Sequence, residues 1–204
     1  IVNGLVGSEM CIRDRTGSGS CIPSVVQNND TFLNHSFYDE SGSEFDIENQ
    51  TIIEKFSSIT GINQRKYISA NLTTSDIAYQ AAKSAIKDAD IDPETLDYII
   101  LAHNFGDITC NSKQIDTLPS LASRVKAKLK IKNPECIAYD VLFGCPGWIE
   151  GMIQAQAFIK AKMAQKCLVI GADALSRVID SHDRDSMIYA DGCLLYTSPS
   201  PRDH

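Results

Sequence analysis

Apolar residues recur at helical spacing in one stretch of the chain and bunch into short unbroken runs in others. Ile77, Ala78, Ala81, Ala82, Ala85, Ile86 and Ala89 follow a 3.6-residue period. Thr74, Ser75 and Asp76 stand before them as candidate N-caps, and Asp92-Pro93 breaks the segment. Tyr98-Ile99-Ile100-Leu101-Ala102 and Cys167-Leu168-Val169-Ile170 read as strands buried on both faces. Between them the pattern predicts a helix over about Leu118–Leu129, a strand over Cys136–Phe143 and a helix over Pro146–Ala164. Upstream, Thr16–Pro23 reads as the end of a strand running into a turn, followed by a polar, loop-rich stretch to about Asn49. Gln50–Ser58 predicts a short helix closed by Thr60-Gly61. Strands alternating with helices of more than about ten residues require crossover connections, so the fold class is α/β with a mainly parallel sheet.

The two ends read differently from the middle. With codons TGT CTC TTA TAC ACA TCT, the segment Cys193-Leu194-Leu195-Tyr196-Thr197-Ser198 has an informative reverse complement. It contains ATG TGT ATA AGA GAC, which encodes Met10-Cys11-Ile12-Arg13-Asp14. Extended through Pro199-Ser200-Pro201-Arg202-Asp203, the other strand also returns Leu5-Val6-Gly7-Ser8-Glu9. Natural gene ends have no reason to be mutual reverse complements, so 1–15 and 193–204 are expected to be sequencing-adapter tails foreign to the fold. The segment 16–192 is then the natural part, cut wherever the DNA broke.

Composition narrows the class. The chain is 43% hydrophobic and 22% charged, as in ordinary globular domains. No apolar run approaches the ~20 residues of a membrane-spanning helix. A net charge of −7, with no basic patch interleaved with aromatics, argues against nucleic acid as a partner. Lys126, Lys128, Lys130 and Lys132 could form a local basic patch for an acidic partner, although alternating lysines also suit a plain solvated face. Between the tails lie Cys21, Cys110, Cys136, Cys145 and Cys167, an odd set with no C-x-x-C pair. That usage suits a reducing cytoplasm rather than a disulfide scaffold or a zinc site.

The candidate chemistry lies in Ala138-Tyr139-Asp140-Val141-Leu142-Phe143-Gly144-Cys145-Pro146-Gly147-Trp148. A strand ends at Gly144, Cys145 occupies the turn, and Pro146 is expected at the first helical position. Cys145 therefore faces the free amides and positive dipole end of a helix, which favour a thiolate nucleophile. Trp148, Ile149, Met152, Ile153, Ala155, Ile159 and Met163 make that helix apolar nearly all round, so it is expected to be central and buried. Position alone leaves a second reading of Cys145 open, as a small core residue like Cys136 and Cys167. His103 follows a buried strand and reads as a satisfied structural histidine. His182 and His35 fit no catalytic pattern.

Four segments in order resemble the N-terminal half of the β-ketoacyl-[acyl-carrier-protein] synthase III family, condensing enzymes of the thiolase fold. They are Thr16-Gly17-Ser18-Gly19-Ser20-Cys21-Ile22-Pro23, Thr60-Gly61-Ile62-Asn63-Gln64-Arg65, the segment Tyr139–Trp148, and Leu175-Ser176-Arg177 through Asp183-Arg184 to Tyr189-Ala190-Asp191-Gly192. The resemblance implies a thiolase-like domain, one half of a duplicated layered α/β fold. It implies that Cys145 accepts an acyl group from a thioester, and that a malonyl group on acyl-carrier protein then decarboxylates and attacks. Arg184 would contact coenzyme A. Coenzyme A and phosphopantetheine enter as substrate handles, with no metal or redox cofactor, and the full-length protein would be a homodimer. The family's decarboxylating His and Asn belong to its C-terminal half, so the fragment alone is expected to be inactive. Where the family carries Trp and Arg before its T-G-I motif, this chain has Lys55-Phe56-Ser57-Ser58-Ile59. Alternatives within the fold are a type III polyketide synthase-like or hydroxymethylglutaryl-coenzyme A synthase-like enzyme and a non-catalytic partner subunit. Retention of Cys145 argues against the last.

Overall fold

The computed structural model describes residues 2–3, 17–112 and 114–192. Of the two tails, only Val2–Asn3 falls among these. It forms a two-residue strand, β1, antiparallel to Lys166 and Cys167. The rest of both tails, together with Thr16, lies outside the described residues.

The centre is a sheet of order β1-β6-β4-β5, in which Tyr98–His103 (β4) runs parallel to both Ile137–Leu142 (β5) and Lys166–Gly171 (β6). Every residue of β4 is buried, as its unbroken apolar run predicts. Its side chains alternate between two cores. Ile99 and Leu101 join Leu168 and Ile170 beneath two helices, Thr74–Asp88 (α2) and Leu121–Lys128 (α3). Tyr98 and Ile100 join Cys167 and Val169 beneath Gly147–Lys160 (α4) on the opposite face. The result is a three-layer α/β/α sandwich in which each strand residue commits to one layer by its parity.

Helix ends follow local chemistry. The N-cap of α2 is Thr73, one residue before the expected candidates. Asp76 Oδ2 accepts the Thr73 N–H at 2.9 Å and completes a capping box. Asn49–Thr60 (α1) ends where Gly61 turns left-handed at φ 70°, as the Thr60-Gly61 signal predicts. The predicted helix from Leu118 begins only at Leu121, because Pro119 and the N-cap Ser120 precede it.

Two expectations upstream are corrected. Residues 17–23 join no strand, and Gly17 and Gly19 lie against the backbone of α2 instead. The polar stretch before Asn49 contains Val25–Asn28 (β2), which pairs antiparallel with Gln64–Tyr67 (β3). A third core of Phe32, Phe37, Ile52, Ile53 and Met187 packs there. Arg65 is buried beside it, with its guanidinium over the rings of Phe32 (4.9 Å) and Phe56 (5.7 Å).

The lysine row is divided: Lys130 and Lys132 are exposed, while Lys126 and Lys128 are engaged by neighbouring elements. Lys126 Nζ donates to the carbonyls of Asn133 (2.8 Å) and Cys136 (2.6 Å), and Lys128 Nζ donates to Ser75 Oγ (2.8 Å) and Asp76 Oδ1 (2.7 Å). Two of the four amines are therefore consumed holding α3 to its neighbours. No helix among the described residues is long and apolar enough to cross a membrane.

Candidate functional site

Cys145 stands between the end of β5 and the start of α4. Gly144 adopts φ 63°, which a β-carbon would strain, and its carbonyl accepts the Gly147 N–H at 3.0 Å. Pro146 is the helix N-cap rather than the first helical residue, and its carbonyl accepts the Glu150 N–H at 3.1 Å. Cys145 is thus one residue outside the helix, beside amides with no intrahelical partner. Among the five described cysteines it is the exposed one. Cys136 and Cys167 are buried, as expected, and burial pushes the Cys167 thiol up to about 12. The structure therefore separates the nucleophile candidate from the core thiols by exposure.

The seat of α4 is made of small residues four apart. Gly147, Gly151 and Ala155 are buried against the sheet, and a β-carbon on Gly151 would stand 3.0 Å from Val169 Cγ1. Close contact with β4 and β6 fixes where the N-terminus of the helix emerges. The outer side of the helix corrects the expectation of a wholly buried element: Ile149 is 57% exposed and Ile153 54%.

Two acid-centred networks lie around the C-terminal end of β4. His103, 1% exposed, places Nε2 3.0 Å from Asp140 Oδ2, while its Nδ1 accepts the Gly106 N–H at 2.9 Å. An accepting Nδ1 makes the ring the neutral Nε2–H tautomer, donating to Asp140. Asp140 also accepts the N–H of Leu121 (2.7 Å) and of Ala122 (2.8 Å), the first amides of α3. His103 is therefore the satisfied structural histidine that its sequence position suggested. The second network was not legible beforehand. Asp173, just beyond β6, accepts the backbone N–H of Asn104 at 2.8 Å and its side-chain Nδ2–H at 2.7 Å. Burial raises the Asp173 carboxyl above its ordinary range, against the pull of these hydrogen bonds.

Arg184 lies elsewhere, at the rim of a cavity of about 540 Å³. Lys55, Phe56, Ile59, Met187 and Ile188 line the same cavity. Its guanidinium sits 4.7 Å from the Phe45 ring centroid and its Nε 3.7 Å from Asp185 Oδ1, a pair open to solvent. Cys145 is not among the residues lining this cavity. His182 hydrogen-bonds the Ser36 carbonyl at 2.9 Å and lines, with Arg184 and Phe45, a second pocket beside that cavity. Among the described residues no three His, Cys, Asp or Glu side chains are grouped to hold a metal ion.

Comparison with known proteins gives a consistent result. The sequence profile of 3-oxoacyl-[acyl-carrier-protein (ACP)] synthase III matches residues 139–194. β-Ketoacyl-[acyl-carrier-protein] synthase III of Erythrobacter litoralis is 34% identical over 177 residues, 86% of this chain and 48% of that protein. Synthase III 1 of Vibrio parahaemolyticus is 36% identical over 177 residues, again 86% of this chain and 49% of its own length. Among solved structures, 3-oxoacyl-[acyl-carrier-protein] synthase III from Aquifex aeolicus superposes with a TM-score of 0.70 at 31% identity, covering 87% of this chain and 50% of its own. The Pseudomonas aeruginosa enzyme gives 0.67 at 28%, with coverage of 87% and 47%. The chain spans about half the length of the curated relatives it matches.

Proposed function

This chain is homologous to the N-terminal half of the β-ketoacyl-[acyl-carrier-protein] synthase III family, and we propose that it is the acyl-accepting half of such a condensing enzyme, with Cys145 as the nucleophile. The observation that carries the reading is an exposed cysteine at the N-terminus of a helix clamped to the central sheet. The Cys145 thiolate attacks the carbonyl carbon of an acyl thioester, the handle leaves as its thiol, and the acyl group stays on sulfur. Malonyl-acyl-carrier protein then loses carbon dioxide, and its carbanion attacks the acyl carbonyl carbon, breaking the C–S bond and releasing the Cys145 thiolate. The backbone amide of Cys145 is one donor to the oxyanion in both steps.

The donors are thioesters of coenzyme A or of phosphopantetheine on a carrier protein, and no metal or redox cofactor enters. Arg184 and Lys55 offer cationic groups to the phosphates of such a handle at the rim of their cavity. The open edge of β5 in the sheet order supports a homodimer of the full-length protein by strand pairing. The neutral, buried His103 has no ring nitrogen left for decarboxylation, which in this reading falls to residues outside this half. The enzyme acts in the cytoplasm, and the fragment alone does not complete the condensation. In the same reading 1–15 and 193–204 are adapter tails.

The test is acyl transfer in the full-length parent protein, with residue numbers kept, using a panel of acyl-coenzyme A and acyl-carrier-protein donors. The expected result is a mass increase of one acyl group on the peptide containing Cys145, lost in Cys145→Ala. Unchanged labelling in that variant refutes the assignment.

A further inference from the structure

Asn104 directly follows β4, whose last residue His103 is in register with Leu142, three residues before the nucleophile. Asp173 accepts from both nitrogens of Asn104, the backbone N–H at 2.8 Å and one Nδ2–H at 2.7 Å. A carboxylate only accepts, so the amide nitrogen must face Asp173 and the carbonyl oxygen must face away. That oxygen, Oδ1, accepts no hydrogen bond among the described residues and is not a buried atom left without a partner. It lies 3.9 Å from where a side chain on Gly144 would begin. Such a β-carbon would otherwise meet only Pro146 Cδ, at 3.8 Å. Gly144 therefore leaves an opening beside Cys145, with Pro146 on one side and an oriented, unused carbonyl on the other.

We propose that Asn104 contacts the acyl donor: Oδ1 accepts a hydrogen bond from the amide N–H nearest the sulfur of the thioester's handle, and Asp173 is the positioning residue that turns the amide that way. The inference rests on the proposed acylation of Cys145 and names what recognises the donor there. An acceptor cannot bind the thioester carbonyl, which is itself an acceptor, and an alkyl acyl chain carries no donor. A cysteamine-type handle has one, two carbons from the sulfur that leaves. The contact reads the handle rather than the acyl group, so it serves coenzyme A and carrier-protein donors alike.

The experiment measures acylation of Cys145 in the full-length parent protein with three donors of the same acetyl group. These are the N-acetylcysteamine thioester, its N-methylated amide, and S-ethyl thioacetate, which has no amide. In the wild type, N-methylation is expected to lower kcat/KM about tenfold, the size of one hydrogen bond. Asn104→Ala and Asp173→Asn are each expected to lower kcat/KM about tenfold for the N-acetylcysteamine donor and to leave S-ethyl thioacetate unchanged. A purely structural role would slow both donors alike, and that outcome overturns the proposal. So does an N-methylated donor that reacts as fast as its parent, a result that needs no variant to fold. If the wild type takes up no acetyl group on Cys145 from any donor, the function itself is refuted and this contact falls with it.

Discussion

Replacing Asp140 with alanine removes one carboxylate and strands three donors at once. The imidazole N–H of His103 is the driest of them, since the residue is 1% exposed and Nδ1 already binds Gly106. A buried donor left without a partner costs about 1–3 kcal/mol. The Leu121 and Ala122 amides lose an anionic acceptor at the start of α3, a loss comparable to removing a cap, about 1 kcal/mol. Together the change is expected to lower the unfolding free energy by about 2–4 kcal/mol, a large share of the roughly 5–15 kcal/mol typical of a domain. Asp140→Asn keeps one accepting oxygen but turns an NH2 group toward a donor, so about half of that loss is expected. A double-mutant cycle with His103→Phe isolates the pair, with an expected coupling of about 1–3 kcal/mol. Urea unfolding of the full-length parent protein gives the totals. Hydrogen exchange at Leu121 and Ala122 reports where the damage falls, and both amides should exchange faster in the variants. An Asp140→Asn protein within about 0.5 kcal/mol of wild type, with those two amides still protected, would refute the reasoning.

Two further outcomes follow from the electrostatics. With iodoacetamide at pH 8, peptide mapping should find Cys145 alkylated, whereas Cys167 stays intact because its thiol is buried and raised to about 12; earlier modification of Cys167 would contradict the packing. Burial raises the Asp76 carboxyl, but hydrogen bonds from Lys128 and Thr73 outweigh it and hold the group below 3.8. Its stabilising contribution is then complete above the ordinary carboxylate range and is lost as pH falls through the lowered value. Asp76→Asn should flatten that acid limb of a stability-versus-pH curve, and an unchanged limb would rule Asp76 out.

The parts of the fold that the sequence announced are those where burial is settled by immediate neighbours. Tyr98–Ala102 is apolar at every position because both faces of β4 are covered, and α2 shows its buried stripe because one layer of sheet lies beneath it. Strands β2 and β3 were silent by comparison. Val25–Asn28 and Gln64–Tyr67 are four residues each, mostly exposed or half-buried, and their pairing depends on contacts nearly forty positions apart. The site divides in the same way. Cys145 was visible from a local sign, a strand followed by a glycine, a proline and an apolar helix. Asn104 and Asp173 were not, because their relation exists only once β4 and β6 lie side by side.

The helix that follows the candidate nucleophile shows where a local reading stops. A helix apolar all round is expected to be buried all round. Here Gly147, Gly151 and Ala155 press one side onto the sheet, while Ile149 and Ile153 face outward uncovered by any described residue. Leu142 and Phe143, just before Cys145, are exposed as well. A contiguous apolar face on a helix already seated on its other side marks a contact surface rather than a solvent boundary. The expectation of burial was therefore right about the chemistry of the surface and wrong about what covers it within these residues. In the proposed reading, the remainder of a protein of about twice this span supplies the cover. The same closure would shield Cys145 from water and bring up the decarboxylating groups. In that reading, the uncovered side of α4 and the exposure of Cys145 are two aspects of one contact surface.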